Sequence, residues 1–314
     1  MQTVRTAVIG VGYLGRFHAQ KYASLPGSRL VAVADARADA REQVAAEVGC
    51  RAVADYREIL GEVDAVSIAT PTPLHHPIAR DCLEHGVHVL VEKPITETAA
   101  QARELIEVAA RRGRLLQVGH LERFNSAILA LEGTLRVPRF IESHRLAPFK
   151  ERGTDVNVVL DLMIHDIDLI QSLVGSPIVS IDAVGTSVFS AGLDIANARI
   201  RYANGCVANT TASRVSMKTE RKLRLFQDDA YVSIDMQQKV LTIVRKPPAG
   251  TGAAPGQVVI EERSYEQGDA LRLEIEAFLG AVREGRPAAV TGEDGLRALE
   301  TAIRITEMVA EGGR

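Results

Sequence analysis

The chain has 314 residues, a formal net charge of −3 and 46% hydrophobic residues. This length can supply two hydrophobic cores, and the composition is that of an ordinary globular protein, so we expect two domains. The near balance of charge gives no broad positive field, which argues against nucleic acid as the main partner.

No apolar run approaches the roughly 18–20 residues of a membrane span, and no signal segment precedes the first predicted strand, so we expect no membrane partner. The cysteines, Cys50, Cys82 and Cys206, are three in number and show no metal-binding spacing. That usage is typical of a reducing compartment and predicts a cytoplasmic protein without a metal site.

Residues 1–120 alternate short apolar runs with amphipathic segments, a pattern that predicts a doubly wound α/β Rossmann domain with a parallel sheet. Thr96 or Thr98 is a suitable N-cap for the last helix of this part. The predicted strands are Thr6–Gly10, Leu30–Ala34, Ala65–Ala69, His88–Glu92 and Leu115–Gly119, and the predicted helices are Leu14–Ser24, Ala38–Val48, Tyr56–Leu60, Pro77–Glu84 and Thr98–Arg111.

A glycine-rich turn follows the first predicted strand, with Gly10, Gly12 and Gly15 in a GxGxxG pattern. Gly10 permits a tight turn, Gly12 lets a pyrophosphate approach the backbone, and Gly15 lets the next helix pack on the sheet. The free N–H groups of that helix, which is predicted to begin at Leu14, would face the phosphates, and Tyr13 directly before it is a further cofactor contact. This combination predicts a dinucleotide cofactor.

An acidic residue, Asp35, ends the second predicted strand. A carboxylate there would accept hydrogen bonds from the adenosine ribose hydroxyls and repel a 2′-phosphate, which favours NAD over NADP. Arg37 leaves an alternative open, because a basic residue two positions later can hold a phosphate instead.

Residues 121–314 have a different pattern, which predicts an α+β domain with a large, mainly antiparallel sheet. If the second face of that sheet is apolar, it needs a cover, so we expect a homodimer or homotetramer formed through it. The predicted strands include Arg139–Leu146, Val179–Val184, Ala196–Tyr202, Lys222–Phe226 and Tyr231–Asp235, the predicted helices are Ala127–Glu132, Asp155–Leu173, Arg272–Arg283 and Asp294–Ala310, and Pro247–Gly256 is predicted to be a loop.

Lys93 and Pro94 directly follow the predicted strand that ends at Glu92. Ligands of open α/β sheets bind at the carboxyl ends of the strands, so we expect Glu92 and Lys93 near the cofactor. A cis peptide at Pro94 would fix the direction of the lysine. The alternative is an ordinary Lys-Pro turn at the surface.

Asp161, His165 and Asp168 have the spacing i, i+4 and i+7, which places them on one face of a predicted helix, with Asp166 pointing elsewhere into solvent. Carboxylates fix the tautomer of an imidazole and make it more basic, as a proton acceptor for a hydroxyl requires. A histidine that only packs the helix remains an alternative. A zinc pair is disfavoured because no third ligand has a suitable spacing.

Together these motifs resemble the glucose-fructose oxidoreductase/inositol dehydrogenase/rhizopine-catabolism family over nearly the whole chain. The resemblance implies that Lys93, Asp161 and His165 act in catalysis and contact the substrate; Met163 stands where the family usually has glycine. It rests on Gly10–Gly15, the segment from Ala69 to His75 that includes Thr70 and Pro71, Glu92-Lys93-Pro94, Val118-Gly119-His120 and Asp161-x-x-x-His165.

A narrower resemblance, to the UDP-N-acetylglucosamine 3-dehydrogenase branch, lies in residues 118–125, 142–149 and 155–166. It implies an NAD-dependent dehydrogenase that oxidises a small-molecule sugar nucleotide at C3. Free polyols such as inositol, dihydrodiols or imines are alternative substrates, and a non-catalytic NAD-responsive regulator is an alternative from another class. Candidate donors for a diphosphate or amide are Arg123, Asn125, Arg145, Lys150 and Arg152; the alternative for each is a surface or helix-capping residue. His75 is a further candidate beside the cofactor, and His76 is predicted to face solvent.

Overall fold

The apolar runs of the first 120 residues form a six-stranded, all-parallel sheet with the strand order β3-β2-β1-β4-β5-β6. The computed structural model describes residues 3–150, 156–247, 257–265 and 268–312. Strand β3 was not predicted, because three residues are too few to show a periodicity. The strands are β1 (Val4–Ile9), β2 (Ser28–Ala34), β3 (Arg51–Val53), β4 (Ala65–Ile68), β5 (His88–Glu92) and β6 (Leu116–Gly119).

The helices of this first part lie close to their predicted positions. Thr98 is the N-cap of α4, where its hydroxyl accepts from Gln101 N and its own N–H donates to the Gln101 side chain. Gly113 ends the same helix in the left-handed conformation, which suits glycine. The helices are α1 (Tyr13–Ser24), α2 (Ala38–Val48), α3 (His75–Glu84) and α4 (Ala99–Arg112), and Tyr56–Ile59 is a 3₁₀ turn.

The chain divides into two compact units, Met1–Leu121 with Ala270–Leu299, and Glu122–Asp269 with Glu300–Arg314. The sequence predicted a single division at residue 120 and did not anticipate that a later segment returns to the first unit. That segment contains α7 (Ala270–Glu284) and the start of α8 (Gly292–Gly312). Ile275, Phe278 and Leu279 of α7 are buried in one cluster with Tyr22 of α1.

The second unit contains an eight-stranded sheet in which β7 and β10 pair in parallel and all other neighbours are antiparallel. The predicted mainly antiparallel sheet is therefore confirmed. The loop predicted at 247–256 lies outside the described residues, apart from Pro247. The strands, in spatial order, are β14 (Val259–Ser264), β13 (Val240–Arg245), β12 (Ala230–Asp235), β11 (Glu220–Phe226), β7 (Phe140–Leu146), β10 (Val207–Ser213), β9 (Ile195–Tyr202) and β8 (Ile178–Thr186).

The two faces of this sheet differ in character. One face is buried and mostly apolar, as in β11, where Leu223 and Leu225 are 0% exposed. The other face is half-buried and carries polar and charged side chains, including the Arg224–Glu142 pair at 3.5 Å. The second face is therefore not wholly apolar, although Phe140, Phe226 and Tyr231 form an aromatic cluster on it.

Two buried ion pairs hold α6 (Ile164–Val174) within the second unit. Arg145 of β7 binds both carboxylate oxygens of Asp166, at 3.1 and 2.8 Å, and also Glu122 at 2.9 Å. Burial acts to lower the pKa of Arg145, but Asp166 and Glu122 outweigh it and the pKa lies above its ordinary value. Arg123 forms a second bidentate pair with Asp168 at 2.7 and 2.6 Å.

Asp166 is 0% exposed. The prediction that this residue points into solvent is therefore wrong, and the reason is the arginine on the neighbouring strand, which sequence spacing alone does not reveal. A buried ion pair contributes little net stability, but removal of one partner leaves an uncompensated charge. None of the helices in the described ranges is long and apolar enough to cross a membrane.

We predict that Arg145→Ala lowers the free energy of unfolding by ~3–5 kcal/mol, because it leaves the buried Asp166 carboxylate without its arginine partner. The matched control is Arg139→Ala, which removes a pair with Asp228 whose side chains are 64% and 78% exposed. The control substitution should lower the free energy of unfolding by less than about 1 kcal/mol. Urea denaturation monitored by circular dichroism measures both, and equal losses would contradict a structural role for Arg145.

Candidate functional site

The turn between β1 and α1 has the geometry that a bound dinucleotide requires. Gly10 has φ +83°, and a Cβ there would lie 2.8 Å from Thr70 N. A Cβ on Gly15 would overlap the Gly10 carbonyl oxygen, whereas one on Gly12 would meet nothing within 4 Å. The first and third glycines therefore serve the packing of the protein, and Gly12 borders open space where a pyrophosphate can approach.

An adjacent cavity of about 670 Å³ lies along the carboxyl ends of β1, β2 and β4. Gly10, Gly12 and Asp35 line it, together with Thr70 and Pro71. Its volume is in the range of small-molecule and cofactor pockets. This part of the molecule fits the adenosine and pyrophosphate of a dinucleotide, and α1 directs its free N–H groups to the same end of the sheet.

Asp35 is held rigidly at the rim of this cavity. Its Oδ2 accepts from Val11 N at 2.8 Å, and its Oδ1 accepts from Arg37 N at 2.9 Å. Each oxygen can accept a further hydrogen bond, which suits a ribose diol. The Arg37 side chain is 66% exposed and its Nε lies 3.8 Å from Asp39, so this arginine is already beside a carboxylate.

Tyr13 and Leu14 begin α1 directly after the glycine turn. They are 65% and 51% exposed, and the Tyr13 ring packs edge-on against Phe17. Apolar side chains this exposed at the end of the sheet that bears the cavity are consistent with the predicted contact to the cofactor.

His75 joins the two chain segments that follow β4 and β5. It is 1% exposed, with Nδ1 2.8 Å from Pro94 O and Nε2 2.8 Å from Thr70 O. Burial lowers the pKa of His75, although the two carbonyl contacts act in the opposite direction. The side chain thus ties the turn after Lys93 to the cofactor turn. His76 pairs with Glu104 at 2.9 Å and its side chain is only 16% exposed, so the prediction that it faces solvent is wrong.

Lys93 lies one residue beyond the end of β5 and is half-buried. The Lys93–Pro94 peptide bond is cis, as the sequence suggested. The preceding Glu92 turns its carboxylate into the unit, where Oε1 accepts from His18 Nε2 at 3.0 Å. Glu92 therefore contacts a helix residue rather than presenting its carboxylate at the surface.

A chain of buried polar groups continues from this contact. His18 Nδ1 lies 3.2 Å from Ser67 Oγ, which lies 2.8 Å from the Tyr22 hydroxyl. Burial raises the pKa of Tyr22, so its hydroxyl stays protonated. Sequence reasoning missed this cluster because its members come from α1, β4 and β5 and show no common spacing.

Glu274 of α7 belongs to the same cluster. It is 0% exposed, and neither carboxyl oxygen has a hydrogen-bond donor. Burial, followed by the charge of Glu92, raises its pKa well above the ordinary value. A carboxyl placed in this way holds its proton more tightly than an exposed carboxyl does. No sequence signal identified Glu274, because it lies far along the chain from the motifs of the first 120 residues.

In the second unit, Asp161 lies in a π-helical turn, Val159–Met163, that leads directly into α6. Asp161 and His165 are half-exposed, whereas Met163 is fully buried. Such turns occur often at functional sites, because the extra residue per turn changes the direction of the side chains. Asp168, the third residue of the predicted common face, is buried against Arg123.

The predicted substrate donors fall in different environments. Arg145 and Arg123 are engaged in the buried pairs described above, and Asn125 is 6% exposed, caps α5 (Ser126–Leu129) and donates to Met236 O at 2.9 Å. Lys150 is exposed after β7. Arg152 lies outside the described residues. Within those residues no group of three or more His, Cys, Asp or Glu side chains could hold a metal ion.

Comparison with known proteins gives matches over both units. Residues 4–120 match the model "Oxidoreductase family, NAD-binding Rossmann fold", and residues 145–314 match "Oxidoreductase family, C-terminal alpha/beta domain". UDP-N-acetylglucosamine 3-dehydrogenase from Acidithiobacillus ferrooxidans is 42% identical over 305 residues, covering 96% of each chain. Its solved structure superposes with a TM-score of 0.93 over 99% of both chains.

A more distant relative, inositol 2-dehydrogenase 1 from Mycolicibacterium vanbaalenii, is 32% identical over 91% of this chain and 86% of its own. The structure of scyllo-inositol dehydrogenase from Lactobacillus casei with NAD(H) and scyllo-inositol has a TM-score of 0.81 over 99% of this chain and 98% of its own. At 21% identity this last likeness shows the fold alone. The predicted two-part fold and the predicted NAD-binding domain are confirmed.

We predict that Asp35→Ser weakens NADH binding by about tenfold or more and narrows the preference over NADPH, because it removes charge-assisted acceptors for the ribose hydroxyls. Isothermal titration calorimetry with both cofactors measures this. Asp39→Ser is the control, since Asp39 carries the same charge four residues away with a side chain 80% exposed. Tighter binding of NADPH than NADH by the native chain would contradict the assignment and point to Arg37.

Proposed function

Because this chain belongs to the oxidoreductase family that combines an NAD-binding Rossmann fold with a C-terminal alpha/beta domain, we propose that it oxidises the C3 hydroxyl of UDP-N-acetylglucosamine to a ketone. The observation that carries this proposal is the 42% identity, over 96% of each chain, to an enzyme named for that reaction. A chain of this family is an NAD-dependent dehydrogenase, and the regulatory alternative has no observation in its favour.

The proposed roles of the three motif residues follow from their chemistry. Bound NAD⁺ supplies the hydride acceptor. His165 accepts the proton of the substrate hydroxyl, and Asp161, on the same helical segment, orients the imidazole. Lys93, as an ammonium, orients the hydroxyl and stabilises the alkoxide that develops on it.

Recognition of the nucleotide needs donors for a diphosphate, and the exposed Lys150 is suited to that task. The contacts of Arg123, Asn125 and Arg145 support a different contribution, which is to fix the strands and helices that carry the other residues. Direct contact of these three with substrate stays a prediction.

A free polyol is the second candidate substrate class, and the 32% identity to an inositol 2-dehydrogenase favours it. A polyol has no diphosphate and no acetamido group, so it needs no cationic donor. The two candidate functions therefore involve the same reaction and differ only in the substrate.

We also propose that the chain forms a homodimer or homotetramer through the second sheet, and that it is cytoplasmic. The aromatic cluster of Phe140, Phe226 and Tyr231 on the less buried face supports the first proposal. The free thiols Cys50, Cys82 and Cys206 are consistent with the second. Sedimentation of the purified chain as a single 33.9 kDa species at micromolar concentration would contradict the oligomer.

The identity of the substrate can be tested in an assay in which an aminotransferase consumes the ketone product. The oxidation of a sugar hydroxyl to a ketone by NAD⁺ has an unfavourable equilibrium. Little NADH should therefore accumulate in the isolated reaction. Addition of an aminotransferase that consumes the ketone, with glutamate as donor, should increase the absorbance of NADH. No signal with any UDP-sugar in this assay, together with steady oxidation of free inositol, would refute the sugar-nucleotide proposal and leave the family unchanged.

We predict that Lys93→Met and His165→Ala each lower turnover by about 10²-fold or more, which is the scale of one positioned acid or base. The affinity for NADH should change little. Lys218→Met and His85→Ala are the controls, because Lys218 is an exposed partner of Glu220 and His85 is an exposed residue at the end of α3. Near-native turnover of either main variant would remove that residue from the mechanism.

A further inference from the structure

A buried ion pair in the second unit lies beside the segment that leads to Asp161. Arg214 directly follows β10, Asp194 directly precedes β9, and the two residues are 6% and 0% exposed. Arg214 Nε lies 3.2 Å from Asp194 Oδ1, and Arg214 N donates to Asp194 O at 2.9 Å. Because the carboxylate balances its charge, the guanidinium can remain in the interior and donate its other N–H groups elsewhere.

Asp194 is itself held in one position. Its Oδ2 accepts from the N–H groups of three successive residues, Val188, Phe189 and Ser190, at 2.8, 2.6 and 2.9 Å. Its Oδ1 accepts from the Ser190 hydroxyl at 2.5 Å. A carboxylate with four donors besides the arginine has little freedom to turn, so it fixes the place of the guanidinium.

The guanidinium of Arg214 contacts two backbone carbonyls. Its Nη2 donates to Val156 O at 2.7 Å and to Leu193 O at 2.8 Å. Leu193 O accepts a second hydrogen bond, from Val158 N at 3.0 Å. Arg214 therefore holds Val156 directly and Val158 through a shared carbonyl, and hydrogen bonds from a charged donor are stronger than those between neutral groups.

Asn157, between these two valines, caps the π-helical turn. Its Oδ1 accepts from Val159 N and Leu160 N, both at 3.0 Å, and its backbone carbonyl accepts from Asp161 N at 3.0 Å. A single turn of this kind has little stability of its own. The direction of the residues that it carries therefore depends on how firmly its first residues are held, and Arg214 holds them from outside.

We propose that Arg214 is a positioning residue, which fixes the start of the π-helical turn and thereby the placement of Asp161, an inference that rests on the proposed function for the role of Asp161 toward His165. Asn157 transmits this placement within the turn. A misplacement of about 1 Å, caused by a change distant from the reacting atoms, can lower turnover by about 10²-fold.

The first test is Arg214→Lys. Lysine keeps a cation beside Asp194 but lacks the planar group that reaches both carbonyls. We expect kcat to fall by about tenfold or more, because the proton acceptor is less well oriented. The KM of the sugar nucleotide should change by less than about threefold, since the contacts that bind it are made by other residues. The affinity for NADH should stay native.

The matched control is Arg139→Lys, measured in the same coupled assay. Arg139 also binds a carboxylate through two nitrogens, at 3.2 and 3.3 Å from Asp228. It directly precedes β7, whereas Arg214 directly follows the parallel strand β10, so the two arginines lie at opposite ends of this strand pair. Arg139→Lys should retain the native kcat. A native kcat in Arg214→Lys, or an equal fall in both variants, would overturn the proposal.

Asn157 provides a second test, which also decides the matter if Arg214→Lys does not fold. Asn157→Ala removes the acceptor for two N–H groups of the turn and should lower kcat by about tenfold or more. Asn157→Asp keeps an acceptor oxygen and should retain kcat within about threefold of native. Equal losses in the two variants, or no loss in Asn157→Ala, would overturn the proposal.

Backbone hydrogen exchange tests the placement without turnover. Peptides that cover residues 156–165 should exchange about tenfold faster in Arg214→Lys than in the native chain and in Arg139→Lys. Unchanged exchange in Arg214→Lys would overturn the proposal. If the native chain oxidises inositol but no UDP-sugar, the substrate proposal fails, and the same comparisons of kcat with inositol and of hydrogen exchange still decide the role of Arg214.

Discussion

The close approach of α1 to the parallel sheet is the constraint on which the rest of the first unit depends. It exists because Gly15 has no Cβ to overlap the Gly10 carbonyl, and because Gly10 turns the chain at a positive φ. The same approach directs the amino end of α1 at the pyrophosphate position and brings Val11 N to Asp35. One backbone contact thus shapes the cofactor cleft.

This approach also carries His18 and Tyr22 of α1 to the inner side of the sheet, where they meet Ser67 and Glu92. The same helix therefore forms one wall of the cofactor cleft and contributes two members of this buried polar cluster. A shift of α1 that opened the cleft would also separate His18 from Glu92, so the two parts of the site are mechanically linked within this unit.

The sequence revealed those features whose determinants are local. The glycine turn, Asp35 and the Lys93–Pro94 step could be located because each depends on neighbours a few residues away. Asp166 and Glu274 could not be placed, because their surroundings come from β7 and from strands and helices of the first unit that are distant in sequence. The π-helical turn at Asp161 was also missed, since the i, i+4 rule assumes a regular α-helix.

The central claim is that hydride leaves C3 of a UDP-linked N-acetylglucosamine. Mass spectrometry of the reduced cofactor tests it directly, with sugar nucleotide deuterated at C3, NAD⁺, and an aminotransferase to remove the ketone. The account predicts NADH heavier by one mass unit from the C3-labelled substrate and unlabelled NADH from substrate deuterated at C4. NADH that forms without deuterium while the label stays at C3 would contradict the account.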